Sequence, residues 1–268
     1  MPELPEVETT KRGIWPYLKG RQVERFEVRQ ARLRWPVSPE IMALRSQAVI
    51  GLQRRGKYLL LQLPDGYTIT HLGMSGSLRV ILDTETPLRK HDHVIWHLDN
   101  QVQIRFYDPR KFGCFLWSSG ESVTEHRLLQ NLGPEPLDDV FDGAHLWERS
   151  RARKVAVKNF VMNSQVVVGV GNIYASEALF MAGIHPLRAA GRISKARYKV
   201  LSECIKTVLA RSIKQGGTTL KDFVGSDGVK QQLMVYDRMG KPCKRCDGQI
   251  KMQVIGQRSS YYCPGCQN

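Results

Sequence analysis

Four cysteines near the end of the chain restrict its fold more than any other feature of the sequence. They form two Cys-x2-Cys pairs, Cys243 with Cys246 and Cys263 with Cys266, with sixteen residues between the pairs. One tight turn presents two thiolates at this spacing, and two such turns supply the four ligands of a tetrahedral zinc ion. We therefore predict a zinc-bound hairpin, because a segment of about 25 residues is too small to build its own hydrophobic core.

This metal is expected to be structural, since four thiolates leave no open coordination position for a substrate. Two disulfides are the alternative, and they fit poorly with a chain whose first twenty residues are too charged for an export signal. The remaining cysteines, Cys114 and Cys204, stand alone in the sequence and are expected to pack as small apolar side chains.

The fold class expected for the whole chain is a multidomain α+β protein. Residues 1–131 are predicted to form an antiparallel β-sandwich with flanking helices, because strand-like stretches recur at short intervals. Asp65-Gly66 and Asp99-Asn100 are typical of tight hairpin turns. One helix is expected to open near Glu3 and a second to cover 39–46. The expected strands are 22–30, 47–54, 57–63, 67–72, 77–82, 93–98, 101–107 and 112–117.

After the glycine and prolines of residues 133–136, the strand-like alternation of the sequence ends. Residues 132–150 are therefore predicted to be a hinge or linker. Helical periodicity follows, so residues 151–235 are expected to form a helical domain, and 236–268 the zinc hairpin. The helices are expected over 152–165, 172–182 and 194–215.

The positive charge of the chain is concentrated in its second half. Residues 1–150 hold 20 Lys and Arg against 19 Asp and Glu, a net charge of +1, whereas residues 151–268 hold 20 against 6, or +14. Such asymmetry indicates that one domain binds a polyanion, most plausibly nucleic acid, by neutralising its phosphates. A merely soluble or ribosome-adherent surface is the alternative. No apolar run approaches the roughly 18 residues that cross a bilayer, so we expect a cytoplasmic protein without a membrane partner.

The start of the chain carries the strongest indication of catalysis. If Met1 is removed, which a small second residue permits, the chain begins with the secondary amine of Pro2 beside the carboxylate of Glu3. A secondary amine can condense with a sugar anomeric carbon to give an iminium ion, while a neighbouring acid moves the protons. An α-amino group has a reference pKa of about 7.7 to 8.0, so part of it is neutral at physiological pH. The alternative is that Pro-Glu simply opens a helix.

Two glycine-rich loops carry apolar or basic side chains at their tips. Met74 lies between Gly73 and Gly76, and Asp108 to Gly113 brings Arg110 and Phe112 into a similar setting. If both loops reach the same face, their tips form a wedge that could enter a base stack and fill the gap left by an extruded nucleotide. Ordinary half-buried packing of Met74 is the alternative.

Several segments of the sequence together carry a resemblance to a known family. They are residues 1–8 (Met-Pro-Glu-Leu-Pro-Glu-Val-Glu), 71–76 (His-Leu-Gly-Met-Ser-Gly), 108–110 (Asp-Pro-Arg), 169–174 (Gly-Val-Gly-Asn-Ile-Tyr) and the four cysteines. In combination they closely resemble the bacterial formamidopyrimidine-DNA glycosylase family, and the match runs end to end. The opening segment is similar to this family rather than to its sister, endonuclease VIII, which typically has Gly at the place of Leu4.

The resemblance implies a base-excision-repair enzyme that removes oxidised purines such as 8-oxoguanine from duplex DNA and cleaves the abasic strand by β,δ-elimination. It implies a helix-two-turns-helix domain, one structural zinc ion, no catalytic metal and no nucleotide cofactor. The expected partner is double-stranded DNA with oxidised bases or abasic sites, bound by a monomer at the nucleoid. The implied catalytic residues are Pro2, Glu3, Lys57 and Arg258, and the implied DNA-binding residues are His71, Met74, Arg110, Phe112, Lys158, Asn172 and Tyr174.

Pro2 would be the nucleophile on C1′ and Glu3 the general acid and base. Lys57, His71, Asn172 and Arg258 would contact phosphates near the lesion, and Arg110 would face the orphaned cytosine. Lys158 matches a lysine associated with handling the damaged base.

One segment departs from the family pattern. Many members carry a Gly-Tyr-Phe element after the Ser-Asp-Gly, but here Ser226-Asp227-Gly228 runs straight on towards Tyr236. Because the segment 217–235 is expected to close over the flipped base, its shortening leaves lesion preference open. The alternatives are a glycosylase for oxidised pyrimidines, a non-enzymatic zinc-ribbon DNA-binding protein, and an enzyme whose nucleophile is Lys57.

Overall fold

The computed structural model describes residues 2–216 and 232–268, and these residues form two compact units. The first unit holds residues 2–130, and the second holds 131–215 together with 232–268. Met1 and residues 217–231 lie outside the described residues, so most of the predicted lesion-capping segment 217–235 does as well.

The first unit opens with helix α1 (Leu4–Leu18), whose amino end is closed by side chains of its own first turn. Glu3 is the residue that precedes the helix, and Pro5 lies in the first turn, where its missing N–H costs no hydrogen bond. The helix buries one apolar face that includes Val7, Ile14 and Leu18. This face belongs to the core of the β-strands that follow, so the helix start is held at a fixed place on the unit.

Two antiparallel sheets and α1 enclose a single hydrophobic core, as expected for a β-sandwich. The five-stranded sheet has the order β2-β1-β7-β8-β6, and the four-stranded sheet has the order β3-β4-β5-β9. The hairpin turns expected at Asp65 and Asp99 join β4 to β5 and β7 to β8. The strands are β1 (Gln22–Val28), β2 (Arg45–Ala48), β3 (Gly51–Arg55), β4 (Tyr58–Leu63), β5 (Gly66–His71), β6 (Ser77–Ile81), β7 (Asp92–Leu98), β8 (Gln103–Tyr107) and β9 (Cys114–Ser119).

Two local predictions in this unit differ from the structure. The single strand expected over 47–54 is two strands, β2 and β3, which belong to different sheets. The chain crosses between the sheets at residues 49–50, a change that hydrophobic alternation does not register. The helix expected over 39–46 is a short 3₁₀ turn, Pro39–Ala43, that buries only Ile41. One apolar anchor does not favour a longer helix.

The second unit is helical, with a core built around α4 and α5. Its helices are α2 (Gly143–Ser150), α3 (Val157–Met162), α4 (Asn172–Met181) and α5 (Lys195–Lys214). The predicted linker 132–150 therefore contains a packed helix, capped by Asp142 and anchored by the fully buried Leu146. Of the helix expected over 152–165, only the short segment α3 is helical. Among the helices of the described ranges, none combines the length and hydrophobicity needed to span a bilayer.

The chain ends in a β-hairpin, β10 (Lys251–Ile255) paired with β11 (Arg258–Tyr262), beside the four cysteines. Glu177 of α4 anchors the chain that leads into this region. Its carboxylate accepts hydrogen bonds from the backbone N–H groups of Met234, Val235 and Tyr236 at 2.8 to 2.9 Å. Three donors for one buried carboxylate compensate its lost hydration and fix the hairpin segment to α4.

Glu8 joins α1 to β3 and gives the first unit a pH-dependent contribution to stability. Its carboxylate accepts from Arg12 at 2.9 Å and from Arg54 of β3 at 3.0 Å. Burial raises the pKa of Glu8, but the Arg12 and Arg54 hydrogen bonds and the charge of Lys11 outweigh burial and hold the pKa below its ordinary value of 4.5. The contribution is therefore present above the unfolded pKa and is lost as pH falls through the lower folded pKa.

We expect Glu8→Gln to lower the free energy of unfolding at pH 7 by about 1 kcal/mol, because a partly buried ion pair is lost. The difference between the wild type and the variant should shrink as the pH falls below 4.5 and the Glu8 carboxylate takes up its proton. Thermal unfolding followed by circular dichroism between pH 3 and pH 8 measures both effects, with the exposed Glu40→Gln as the control. A constant difference at all pH values would contradict the assignment to the Glu8 carboxylate.

Candidate active site

Pro2 and Glu3 are held at the amino end of α1. The backbone N–H of Glu3 donates to Glu6 Oε2 at 2.8 Å, and the Glu3 carbonyl accepts from Val7 at 3.1 Å. Glu3 is 1% exposed, whereas Pro2 is half-buried. Because both backbone groups of Glu3 are bonded into the helix, the peptide plane that carries Pro2 has a fixed direction. Pro2 and Glu3, which the sequence singles out, are consecutive residues at the start of one helix.

Lys57 and His71 lie together on the four-stranded sheet. Lys57 precedes β4 and His71 ends β5, and the neighbouring residue Tyr58 pairs with His71 across the two strands. Burial, together with the charges of Lys57 and Arg34, lowers the pKa of His71 from 6.5 to about 4. His71 Nδ1 accepts a hydrogen bond from the backbone of Gly73 at 3.0 Å. At neutral pH the imidazole is therefore uncharged and carries its proton on Nε2, where it can donate to a phosphate oxygen.

The loop that carries Met74 and the loop that carries Arg110 and Phe112 are in direct contact. Gly73 has a φ of +64°, and a Cβ atom added there would lie 2.5 Å from both the backbone nitrogen of Gly113 and the carbonyl carbon of Phe112. Only glycine allows so close an approach at this φ. The structure thus brings together the two loops that the wedge hypothesis requires.

The tips of these loops stay at the surface. Phe112 is 40% exposed, Arg110 is exposed and Met74 is half-buried. The guanidinium carbon of Arg110 lies 4.8 Å from the centroid of the Phe112 ring, within the range of a cation–π contact. An exposed aromatic ring covered by a guanidinium is suited to stacking against a nucleic-acid base.

In the second unit, Lys158 joins α3 to the first residue of α4 and to the zinc hairpin. Its ammonium donates to Asn172 Oδ1 at 2.5 Å, to the carbonyl of Ser259 at 3.1 Å and to Ser260 Oγ at 2.6 Å. Asn172 Nδ2 also donates to the Ser259 carbonyl at 3.0 Å. These bonds fix the Asn172 amide at the positive end of the α4 dipole, where an anion is stabilised.

The side chains of Lys158 and Tyr174 are buried, although the resemblance implies that both residues contact DNA. Lys158 is fully buried, and the Tyr174 hydroxyl bonds Ser212 Oγ at 2.5 Å inside the helical core. Both side chains are hydrogen-bonded inside the second unit, where they hold neighbouring segments together. Their direct contact with DNA stays a prediction.

Arg258 opens β11 and is exposed. The turn before it, Gly256-Gln257, has positive φ at both residues, which is typical of a tight hairpin connection. A Cβ atom on Gly256 would lie 2.3 Å from the side chain of Asn159, so the turn lies against α3. The hairpin therefore presents Arg258 from a base that is packed on the helices of its own unit.

The four cysteines fit one zinc ion. Their Sγ atoms all lie within 4.8 Å of one another. The separation is 3.9 Å for Cys243 and Cys266 and 3.4 Å for Cys246 and Cys263. Both values are far longer than a disulfide bond and near the roughly 3.8 Å expected between thiolates that each lie about 2.3 Å from a tetrahedral zinc. Four sulfur donors in this arrangement hold a structural zinc.

Residues that position the site were not found by sequence reasoning. Glu6 fixes the peptide of Glu3, and Asp108 and Ser75 lie behind the wedge tips. Glu6 does carry a signal, since a Glu three residues after a helix cap is typical of a capping box. The roles of Asp108 and Ser75 depend on a contact between loops 33 residues apart, which no local pattern indicates.

Family models match nearly the whole chain. One described as the formamidopyrimidine-DNA glycosylase N-terminal domain matches residues 1–115, and one described as the H2TH domain of the same glycosylase matches 132–224. A third, described as a zinc finger found in FPG and IleRS, matches residues 240–268. The last match contains all four cysteines.

Curated and solved relatives agree with these matches. The formamidopyrimidine-DNA glycosylase of Alcanivorax borkumensis is 59% identical over 271 residues, with each chain fully covered. The Lactococcus lactis enzyme, solved non-covalently bound to DNA with an AP site, has a TM-score of 0.91 at 30% identity and 99% coverage of both chains. MutM, solved with DNA containing carbocyclic 8-oxo-G, has a TM-score of 0.91 at 32% identity and full coverage.

We expect the pKa of His71 to be measurable near 4 by the pH dependence of its imidazole NMR signals. Lys57→Met should raise this pKa, because one of the nearby positive charges is removed, but it should stay below 6.5 because burial remains. The exposed Lys19→Met is the control and should leave His71 unchanged. Since the folded pKa lies below the unfolded one, His71 should destabilise the fold as pH falls from 6.5 to 4. An unchanged pKa in Lys57→Met would show that the two groups are not coupled.

Zinc removal should unfold the hairpin selectively. Denaturation in the presence of a colorimetric chelator should release one zinc ion per chain, because the four thiolates form one site. Chelation without denaturant should abolish the amide NMR signals of the hairpin and leave those of the β-sandwich in place. Cys204→Ser, which changes a buried cysteine outside the cluster, should retain the full zinc content. A chain that contains no zinc, or more than one ion, would contradict the assignment.

Proposed function

The chain belongs to the formamidopyrimidine-DNA glycosylase family, and we propose that it removes oxidised purines from duplex DNA and then cleaves the strand at the abasic site. Relatives of this family have been solved on DNA with an AP site and with carbocyclic 8-oxo-G. The observation that carries the proposal for this chain is the placement of Pro2 and Glu3. Once Met1 is removed, the secondary amine of Pro2 would stand beside the carboxylate of Glu3 at the fixed start of α1.

Pro2 acts as the nucleophile. Its neutral amine attacks C1′ of the damaged nucleotide, the bond from C1′ to the base nitrogen breaks, and the leaving base takes up the proton that the Pro2 nitrogen loses. The ring C1′–O4′ bond then opens, and O4′ takes up a proton from the protonated Glu3 carboxyl. The product is an iminium ion between Pro2 and the opened sugar.

Strand cleavage follows because the iminium ion withdraws electrons from the neighbouring carbon, C2′. The C2′ proton becomes acidic, a base removes it, and the 3′ phosphate leaves in β-elimination. A second proton loss expels the 5′ phosphate in δ-elimination, and water then releases Pro2. Glu3 is the residue placed to shuttle these protons, since its carboxylate is adjacent in the chain to the reacting nitrogen.

Phosphate contacts hold the duplex in place. The second half of the chain carries the excess of positive charge, +14 for residues 151–268. The proposed contacts are the neutral Nε2–H of His71, the ammonium of Lys57, the start of α4 at Asn172, and Arg258 on the zinc hairpin. The zinc ion takes no part in the chemistry, because four thiolates saturate it; when bound, it stiffens the hairpin that presents Arg258.

The wedge opens the duplex. Met74, Arg110 and Phe112 would enter the space that the extruded nucleotide leaves, with Arg110 facing the orphaned cytosine. Their support is the contact between the two loops and the exposed Phe112 ring. Extrusion costs a few kcal/mol, and less at a damaged pair, so part of the selectivity for lesions arises here. The protein is proposed to act as a monomer in the cytoplasm on nucleoid DNA.

Borohydride reduction tests the proposal directly, because it converts the iminium to a stable amine and links the protein to DNA. We expect the wild type to be trapped on an 8-oxoguanine duplex and Pro2→Gly to be trapped at least about tenfold less, since the secondary amine is lost. Glu3→Gln should bind the duplex but fail to excise the base. Gel mobility after reduction and mass spectrometry of the crosslinked peptide are the measurements.

The variant Lys11→Met, which changes a half-buried residue of the same helix, is the control and should be trapped like the wild type. Crosslinking to Lys57 would show that another amine is the nucleophile. A lack of trapping on any oxidised or abasic duplex would indicate a binding protein without catalysis. Faster excision of thymine glycol than of 8-oxoguanine would indicate a preference for oxidised pyrimidines.

A further inference from the structure

Asp108 bonds to both loops that carry the wedge tips. It follows β8 and is completely buried. One carboxylate oxygen, Oδ1, accepts the hydroxyl of Ser75 at 3.0 Å, and the other, Oδ2, accepts the backbone N–H of Gly113 at 2.8 Å. Ser75 is next to Met74, and Gly113 is next to Phe112. A single side chain thus holds the residue beside each apolar tip.

The backbone of Asp108 is fixed from the opposite side. Its N–H donates to the carbonyl of His91 at 3.0 Å, and its carbonyl accepts from His93 Nε2 at 2.7 Å. His93 is buried, and burial lowers its pKa; because a carbonyl oxygen can only accept, the bond places a proton on Nε2 of the ring. The carboxylate therefore cannot move with either loop. Both loops are instead bonded to one fixed residue at the end of a strand of the five-stranded sheet.

We propose that Asp108 is a positioning residue that locks the Met74 loop and the Arg110–Phe112 loop into one rigid body, so that the three tips enter DNA together. The inference rests on the proposed function, because it assigns a purpose to the wedge. Without this clamp, meaning the two hydrogen bonds that the Asp108 carboxylate accepts from Ser75 and Gly113, the two loops would move independently. Arg110 would then meet the opposite base with less fixed geometry, and discrimination between opposite bases would fall.

The chemistry of the clamp makes distinct predictions for two substitutions. Asp108→Ala removes both acceptors and leaves the Gly113 N–H buried without its partner. Asp108→Asn keeps the shape and can satisfy both loops, with its oxygen accepting from Gly113 and its amide nitrogen donating to Ser75 Oγ. The asparagine variant should therefore restore what the alanine variant loses, although it carries no charge.

Wedge entry is measured with 2-aminopurine placed beside a non-cleavable abasic analogue in duplex DNA, because unstacking raises its fluorescence. We expect Asp108→Ala to reduce the rate of entry about 100-fold and Ser75→Ala about tenfold, as each buried partner left without its hydrogen bond costs about one power of ten. The ratio of excision opposite cytosine to excision opposite adenine should fall in both variants. Asp108→Asn should stay within about threefold of the wild type.

Trapping on a single-stranded abasic oligonucleotide separates positioning from chemistry. A single strand has no partner base and no stack to open, so borohydride trapping there reports the Pro2 reaction without the wedge. Both Asp108→Ala and Ser75→Ala should be trapped like the wild type. Ser38→Ala is the matched control, since Ser38 also ties distant segments of this unit, through a 2.9 Å bond to the backbone of Trp117. It should leave wedge entry and the base ratio unchanged.

The outcomes distinguish the two proposals. If the wild type is trapped neither on the single strand nor on an 8-oxoguanine or abasic duplex, the proposed function is overturned. If the wild type is trapped but Asp108→Ala and Ser75→Ala enter the duplex normally, the clamp alone is overturned. An Asp108→Asn variant as slow as Asp108→Ala would also overturn it, because charge and not bonding would be responsible. Should Asp108→Ala fail to fold, the loss of one half-buried hydroxyl in Ser75→Ala decides the question.

Discussion

The hydrogen bond from the Glu3 backbone to the Glu6 carboxylate is the interaction on which the proposed chemistry depends most. A reactive group at a chain end is normally free to move, and a mobile amine would spend little time in line with C1′. Here the residue after Pro2 is bonded into the first turn of α1, and that helix is in turn packed into the sandwich core and tied to β3 through Glu8 and Arg54. The order of the core thereby extends to Pro2, the proposed nucleophile, so the entropy of orienting it would be lost largely on folding instead of during the reaction.

Buried charges play the same role elsewhere in the molecule. Lys158 is fully buried, and its ammonium bonds α4 and the zinc hairpin at once, while Glu177 holds the chain that enters the hairpin by three backbone bonds. Burying either charge without its hydrogen-bond partners would cost free energy. The zinc hairpin therefore has few positions in which both Lys158 and Glu177 keep their partners. The zinc ion stiffens the hairpin internally, and Lys158 and Glu177 fix it to its unit.

Sequence reasoning recovered the sheets, α4, α5 and the metal site, because each depends on a local pattern: alternation with turn residues, helical periodicity, or cysteine spacing. It failed where the outcome depends on tertiary context. Residues 47–54 alternate as one strand, yet the chain changes sheets within them. Helix α2 has only a few apolar residues, so its sequence favours a linker over a helix. The site residues carried by the family resemblance were named, but Lys158 and Tyr174 proved to be buried, and the pairing of Asp108 with Ser75 required the fold itself.

The close approach of Gly73 to Phe112 and Gly113 also limits how a protein of this kind can diversify. Any side chain at Gly73 would collide with backbone, and Gly113 is equally confined by the His71 carbonyl, so the base of the two loops is closed to variation. The tips project away from this contact and can be exchanged without disturbing it. If the three tips form the proposed wedge, substitutions at Met74, Arg110 or Phe112 would change which mispaired or damaged sites are opened, while the scaffold beneath them is inherited unchanged.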